Sequence, residues 1–227
     1  MAECYHAFFR HGDYAQRKGV PSARQPWALT EAGKAQAREG ATVLDGTVKE
    51  LGLRPSAIIY CSHQLRAWQT AQVVAETLRD LGHDITEIRE TAELAERGLG
   101  SAANLTVTEI EAALEADPRF ETPPQGWKSD SDYRLPLEGA ESLMMAGARV
   151  ARHLVTSGQP GKLTLHVGHG ASFRHACHHL GILTHEEIAR LSMFHAQPSL
   201  ICHQNDAKWR HVAGEWKIRE PGATPRD

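Results

Sequence analysis

Hydrophobic positions along this chain follow two alternating patterns. Short unbroken apolar runs stand at 4–9 (Cys-Tyr-His-Ala-Phe-Phe), 57–61 (Ala-Ile-Ile-Tyr-Cys) and 163–168 (Leu-Thr-Leu-His-Val-Gly). Runs of that length predict strands buried on both faces. A weaker strand is predicted near 84–89, and a closing pair at 199–204 and 209–218, joined as a hairpin across Asn205-Asp206. Between the strands, apolar residues recur three or four apart, as on one face of a helix. Thr30 is placed to cap the first helix, with Glu31 in its first turn and Ala37, Val43, Leu44 and Val48 on its apolar face. Gly40 and Gly46 weaken that helix and leave a break open. Further helices are predicted at 65–81, at 106–116 up to Asp117-Pro118, at 141–155, at 172–180 and at 185–191.

Strands alternating with helices predict an α/β fold with a mostly parallel central sheet and helices on both faces. Residues 13–28 are polar, carry Gly19, Pro21 and Pro26, and read as a loop. Residues 92–136 are the least regular and read as an insertion or lid within a single catalytic domain spanning 1–219. The Pro/Gly-containing stretch 220–227 reads as a flexible tail.

Composition narrows the function classes. The chain has 227 residues, 41% hydrophobic and 23% charged, with a formal net charge of −3, which gives no general attraction to nucleic acid or to an anionic membrane. The start, Met-Ala-Glu-Cys-Tyr-His, lacks a basic segment followed by an apolar one, and no apolar run approaches membrane-spanning length. With four scattered cysteines and no Cys-x-x-Cys pair, a cytoplasmic location is expected. Of 14 histidines, His175, His178 and His179 cluster with Cys177. Spacing puts His175 and His179 on one helix face, but a metal site needs further ligands, so neither metal nor other cofactor is expected.

In a parallel α/β sheet, ligands bind beyond the carboxyl ends of the strands. Three chemically loaded segments fall there: Arg10-His11-Gly12, Ser62 to Arg66, and Gly168-His169-Gly170. A neutral imidazole at His11 is a nucleophile toward phosphorus once a ring N–H is held by a carbonyl, and Gly12 permits the turn that supplies one. Arg10 and Arg66 offer planar forks for phosphate oxygens, His169 if protonated adds a third positive group, and the Gly170 N–H a neutral donor. Glu96, with Glu93 in reserve, can protonate the leaving oxygen and then deprotonate water. This assignment requires the His11 ring to lie within a phosphate's width of Arg66 and His169 and to be open to solvent.

Four segments in order carry a resemblance. Phe9-Arg10-His11-Gly12, Leu29-Thr30-Glu31-Ala32-Gly33 with Gln36-Ala37, Ser62-x-x-Leu65-Arg66-Ala67-x-x-Thr70-Ala71 and Gly168-His169-Gly170 together resemble the histidine phosphatase superfamily, with its phosphoglycerate mutase-like fold. The resemblance covers roughly residues 5–218 and implies a phosphohistidine at His11, a phosphate pocket from Arg10, Arg66 and His169, and no metal. Leu94-Ala95-Glu96-Arg97 is similar to a mutase segment that carries the acid/base role onto Glu96. Glu141-Ser142-Leu143 also resembles a mutase segment. Against a mutase, Asp13-Tyr14-Ala15-Gln16 departs from the mutase pattern, and residues 101–125 hold only Arg119 and no lysine, where mutases clamp a second anionic group. A phosphatase acting on a small phosphorylated metabolite or a phosphoprotein is therefore expected, ahead of a bisphosphoglycerate-dependent mutase and a non-catalytic phospho-ligand binding module. Trp27, Trp127 and Tyr133 are candidates either to line the specificity pocket or to pack.

Overall fold

A computed structural model describes residues 2–17, 19–21, 24–204 and 208–219. Six strands form the main sheet: β1 (Cys4–Arg10), β2 (Pro55–Ser62), β3 (Glu87–Thr91), β4 (Leu163–Gly168), β6 (Pro198–His203) and β7 (Arg210–Ala213), in the order β3-β2-β4-β1-β6-β7. The pairs β3–β2, β2–β4 and β4–β1 are parallel, while β6 runs antiparallel to both β1 and β7. The sheet is thus mostly parallel, as the alternation predicts.

Helices α1 (Glu31–Glu50) and α2 (Leu65–Asp80) cover one face, and α4 (Leu143–Ser157) and α5 (Gly170–His179) the other. Alternation within β1 separates two cores. Ala7 and Phe9 pack with Ala37, Ala41, Leu44 and Val48 of α1 and Val74 and Leu78 of α2, whereas Phe8 meets Phe173 of α5, with ring centroids 4.0 Å apart. Each such fully buried Leu, Val or Phe contributes about 1.5–3 kcal/mol relative to exposure.

Three sequence expectations need correction, and the break left open in the first helix does not occur. Helix α1 runs unbroken through Gly40 and Gly46. Gly40 is there for contact: a Cβ would lie 1.8 Å from the carbonyl oxygen of Ala196 and 3.4 Å from the Phe9 ring. The third strand lies three residues later than its apolar content suggests, because it is an edge strand with mostly exposed side chains. Helix α5 starts at Gly170, not Ser172, with His169 as its N-cap. The predicted strand 209–218 splits at Gly214, whose φ is +91°. Its second half, β8 (Lys217–Ile218), leaves to pair with β5 (Leu191–Ser192), just after α6 (His185–Arg190). The predicted turn at Asn205-Asp206 and the tail from Glu220 lie outside the described residues.

The segment between β3 and α4 holds one helix, α3 (Val107–Ala116), begun by a reciprocal Thr106–Glu109 capping box. It builds a small core of its own from Leu99, Ala102, Ile110, Leu114, Trp127, Leu135 and Ala140. Trp127 is buried there, donates Nε1–H to Glu111 at 3.0 Å and meets the Tyr133 ring, so these two aromatics pack the insertion; Trp27 is exposed. Cys61, Cys177 and Cys202 are buried, Cys4 is half-buried, and all four are free thiols. Burial pushes the Cys61 thiol up to about 12, which removes it as a thiolate at neutral pH.

Candidate active site

Strand register brings the three loaded segments to one level. Arg10 of β1 pairs with Gly168 of β4, and Cys61 of β2 with Val167. The residues at or just past those ends, His11, Ser62 and His169, therefore stand side by side. The backbone N–H of His11 extends the ladder by donating to Gly168 O at 2.9 Å, and the His11 and His169 ring centroids are 5.2 Å apart.

Nδ1 of His11 lies 2.8 Å from the carbonyl oxygen of Gly12. A carbonyl only accepts, so Nδ1 carries the proton and Nε2 keeps its lone pair. The loop that offers this carbonyl is fixed by the other matching segments. Gly12 N–H donates to Thr70 Oγ1 of α2 at 3.0 Å. Asp13 N–H donates to Gln36 Oε1 at 2.9 Å, and the Asp13 carboxylate accepts from Thr30 Oγ1 at 2.8 Å. Backbones approach so closely that a Cβ on Gly33 would sit 1.9 Å from Asp13 O, and one on Gly12 would sit 2.5 Å from Gly33 O. The Thr30-Glu31-Ala32-Gly33 segment therefore caps α1 and seats the loop that carries His11.

The cations surround the same point. Arg10 Nη1 donates to Met193 O at 2.9 Å; Arg66 Nη1 donates to Gln25 O at 3.2 Å, and its Nη2 contacts His169 Nδ1 at 3.2 Å. The flanking glycines of Gly168-His169-Gly170 have steric causes: a Cβ on Gly168 would lie 2.8 Å from Phe8 Cζ, and one on Gly170 would lie 3.0 Å from Arg10 Cδ. As the first residue of α5, Gly170 presents an N–H with no intrahelical carbonyl to bond. Burial, then the guanidinium of Arg66, the neighbouring His169 ring, Arg10 and His195, push His11 well below the ordinary histidine range. His169 is also depressed, by burial and then by Arg66, Arg10 and Arg149. The expected third cation is thus corrected: His169 is neutral, because a buried imidazole beside two arginines sheds its proton.

A second correction concerns access. His11 is 2% exposed, and Arg66 and His169 are 0% exposed. Tyr14 packs against His11 and Arg66, with its ring edge-on to His11 at 5.3 Å between centroids and the Arg66 guanidinium 4.8 Å from its centre. The nucleophile candidate is close to its cations, as required, but closed to solvent in this conformation. A cleft of about 430 Å3 opens alongside, lined by Gln25, Ser62, Gln64 and Ala95 among others. A second, of about 390 Å3, is lined in part by Arg10, Tyr14 and His195.

Glu96 follows the 3-10 turn Ala92–Leu94, is buried, and lies within electrostatic reach of Arg66. Its Oε1 accepts the Arg97 N–H at 2.9 Å. Glu93, the reserve, is half-buried on the same segment. Periodicity does not find His195, which lies in a strap between β5 and β6. Its Nδ1–H donates to His11 O at 2.9 Å, and the strap's Ala196 N–H donates to Arg10 O at 2.8 Å. Only its polar Phe-His-Ala-Gln setting between apolar runs could have drawn attention to it. The histidine cluster on α5 does not converge. His175 contacts Ser131 and Ala171, His178 the carbonyl of Leu183 and His179 that of Met144; no metal-holding group of three or more His, Cys, Asp or Glu occurs among the described residues.

The model of the histidine phosphatase superfamily (branch 1) matches residues 7–215. The chain belongs to that superfamily. The match spans every residue placed around His11, so Arg10, His11, Arg66, Glu96 and His169 all lie inside the family region. No curated protein sequence matches the chain. Its fold is similar to that of a mycobacterial glucosyl-3-phosphoglycerate phosphatase solved with a vanadium oxide (22% identity over 92% of this chain and 97% of the other, TM-score 0.67). It is also similar to a putative α-ribazole-5'-phosphate phosphatase from Escherichia coli (18%, 95% and 95%, 0.65) and a phosphoglycerate mutase from Bacillus anthracis (17%, 94% and 93%, 0.69). At these identities the likeness establishes the phosphoglycerate mutase-like fold. Among the described residues, no helix is long and apolar enough to cross a membrane.

Proposed function

We propose that this chain hydrolyses phosphomonoesters through a phosphohistidine on Nε2 of His11. The observation that carries this reading is the His11 Nδ1 contact with Gly12 O, which leaves the lone pair on Nε2 of a ring kept neutral beside Arg10 and Arg66. Once the Tyr14 ring moves off the buried His11, Nε2 attacks phosphorus, the ester P–O bond breaks, and the leaving oxygen takes a proton from the Glu96 carboxyl. Water then attacks the phosphoryl group, the P–N bond breaks with its electron pair returning to Nε2 of His11, Glu96 takes the water's proton, and inorganic phosphate leaves. Arg10, Arg66 and the Gly170 N–H hold the equatorial oxygens as charge spreads over them, and neutral His169, whose one N–H goes to Ser62 Oγ, holds the Arg66 fork in place by accepting from its Nη2. The leaving group occupies the cleft between Ser62, Gln64 and Ala95, next to the Glu96 segment. Its substrates are small phosphorylated metabolites or a phosphoprotein side chain.

Hydrolysis is favoured over mutase activity by the composition of the insertion. Arg119, the sole arginine of 101–125, is spent on Asp117 at 2.6 and 2.9 Å, leaving water as the natural acceptor. The test is phosphate release from an aryl phosphate in chelator, with His11→Ala inert and acid-labile, base-stable label on His11 after brief exposure to substrate. Interconversion of 2- and 3-phosphoglycerate dependent on added bisphosphoglycerate, without net hydrolysis, would replace this reading by the mutase.

A further inference from the structure

The seven residues that carry Glu96 contain one 3-10 turn and no strand, yet a general acid must be held to within about half an ångström of its working position. The restraint comes from α4. Arg149 Nη1 donates to the carbonyls of Ala92 (3.2 Å), Glu93 (2.8 Å) and Ala95 (3.1 Å), and Nη2 reaches that of Glu96 at 3.5 Å. The same guanidinium grips Glu141, with Nε on Oε1 at 3.0 Å and Nη2 on Oε2 at 2.7 Å. Glu141 closes the far end of the segment: its Oε2 accepts the Gly98 N–H at 3.0 Å, and its own N–H donates to Gly98 O at 2.8 Å.

We propose that Arg149 and Glu141 are positioning residues for the Glu96 carboxyl, the guanidinium serving as a template around which residues 92–98 are wound. The inference rests on the acid role given to Glu96 above. Four carbonyls from one irregular stretch converge on a single group that only donates, and a planar fork with five N–H groups can satisfy them together. A lysine ammonium has three donors on one atom and cannot span the same set. Both side chains are largely sheltered, at 14% and 23% exposure. Burial alone would raise the Glu141 carboxyl, but Arg149 and the Gly98 N–H hold it below its usual value, so the carboxylate stays ionised at neutral pH.

The test measures kcat/KM, which reports steps through phosphoryl transfer, on aryl phosphates of graded leaving-group basicity for the wild type, Glu96→Gln, Arg149→Met, Arg149→Lys and Glu141→Gln. Loss of the acid makes the rate fall more steeply for poorer leaving groups. The expected result is that Arg149→Met steepens the dependence in the same sense as Glu96→Gln, costs about tenfold or more on the poorest leaving group, and costs little on the best. That is part of the ~10²–10⁴ a positioned acid supplies. Added guanidinium should restore part of the slope, and Arg149→Lys should not. If Arg149→Met does not fold, Glu141→Gln, which keeps the shape and removes one charge, is read the same way. A steep Glu96→Gln profile beside parallel, unsteepened profiles for the Arg149 and Glu141 variants overturns this inference alone. A flat Glu96→Gln profile overturns the acid assignment, and the inference with it.

Discussion

Arg66 Nη2 donates a hydrogen bond to Nδ1 of His169 at 3.2 Å. Because a guanidinium cannot accept, Nδ1 holds a lone pair and the ring proton sits on Nε2, which donates to Ser62 Oγ at 3.0 Å; Ser62 in turn donates to Gln64 Oε1 at 3.0 Å. His11 is the opposite tautomer, with its proton on Nδ1. Two adjacent imidazoles thus have their protons on different nitrogens: His11 keeps a lone pair on Nε2, while His169 bridges Arg66 and Ser62.

This makes a spectroscopic prediction. In 15N-histidine-labelled protein, His11 should show the Nδ1–H pattern and His169 the Nε2–H pattern, and neither should titrate near the ordinary histidine value. The sign follows from the depressed values: both rings stay unprotonated until the pH falls well below the ordinary histidine value of about 6.5. Titration of either ring near 6.5 would contradict the arrangement.

Tyr14 should control access to His11. Replacing it by alanine removes the ring that packs against His11 and Arg66, and opens His11 toward the cleft Tyr14 shares with Arg10 and His195. Carbethoxylation of His11 by diethyl pyrocarbonate, followed by peptide mass spectrometry, should be several-fold faster in Tyr14→Ala. An unchanged rate would mean that His11 is reached from another side.

Gly40→Ala tests a reversal of helix propensity. On propensity alone, alanine in mid-helix stabilises by about 1 kcal/mol. Here its Cβ would stand 1.8 Å from Ala196 O, so the substitution should instead destabilise by about 1–3 kcal/mol in chemical denaturation. Since Ala196 N–H holds Arg10 O and neighbouring His195 holds His11 O, turnover should fall as well. A stabilised, fully active variant would refute the contact.

The face of the sheet under α4 predicts acid lability. His6, His153 and His166 are buried together; His6 Nδ1 lies 3.1 Å from His166 Nε2, and the His153 ring meets His166 edge-on at 5.3 Å. Burial lowers His6 to about 3 and His153 to about 4, and holds His166 well below the ordinary value. The unfolded chain therefore binds more protons below about pH 6.5, and stability falls with falling pH from there toward about 4. The loss is about 1.4 kcal/mol per pH unit for each such histidine. Urea denaturation at pH 7.5, 6.0 and 5.0 should show it, and His6→Phe should flatten it. Equal stability at 7.5 and 5.0 would rule it out.

Strands, helices and their order follow from local pattern: unbroken apolar runs at β1, β2 and β4, and 3.6-residue spacing with a Thr30 cap at α1. The residues that end those strands, Arg10, His11, Ser62, His169 and Gly170, are likewise visible because the chain order alone puts them past carboxyl ends. Elements lacking such periodicity are misplaced: β3 is a polar edge strand, and the split of 209–218 depends on the positive φ of Gly214.

Register, protonation and cover belong to the tertiary structure. Arg10 stands level with Gly168 only because β1 and β4 are bonded in one register across more than 150 residues of chain. His169 is neutral because packing strips its water and sets Arg66 against it, and neither effect is encoded near residue 169. Tyr14 against Arg66 and the carbonyls wound on Arg149 are likewise contacts between distant segments. Local sequence biases dihedral angles over a few residues; desolvation and hydrogen-bond geometry at a site arise only when segments far apart in the chain are packed together.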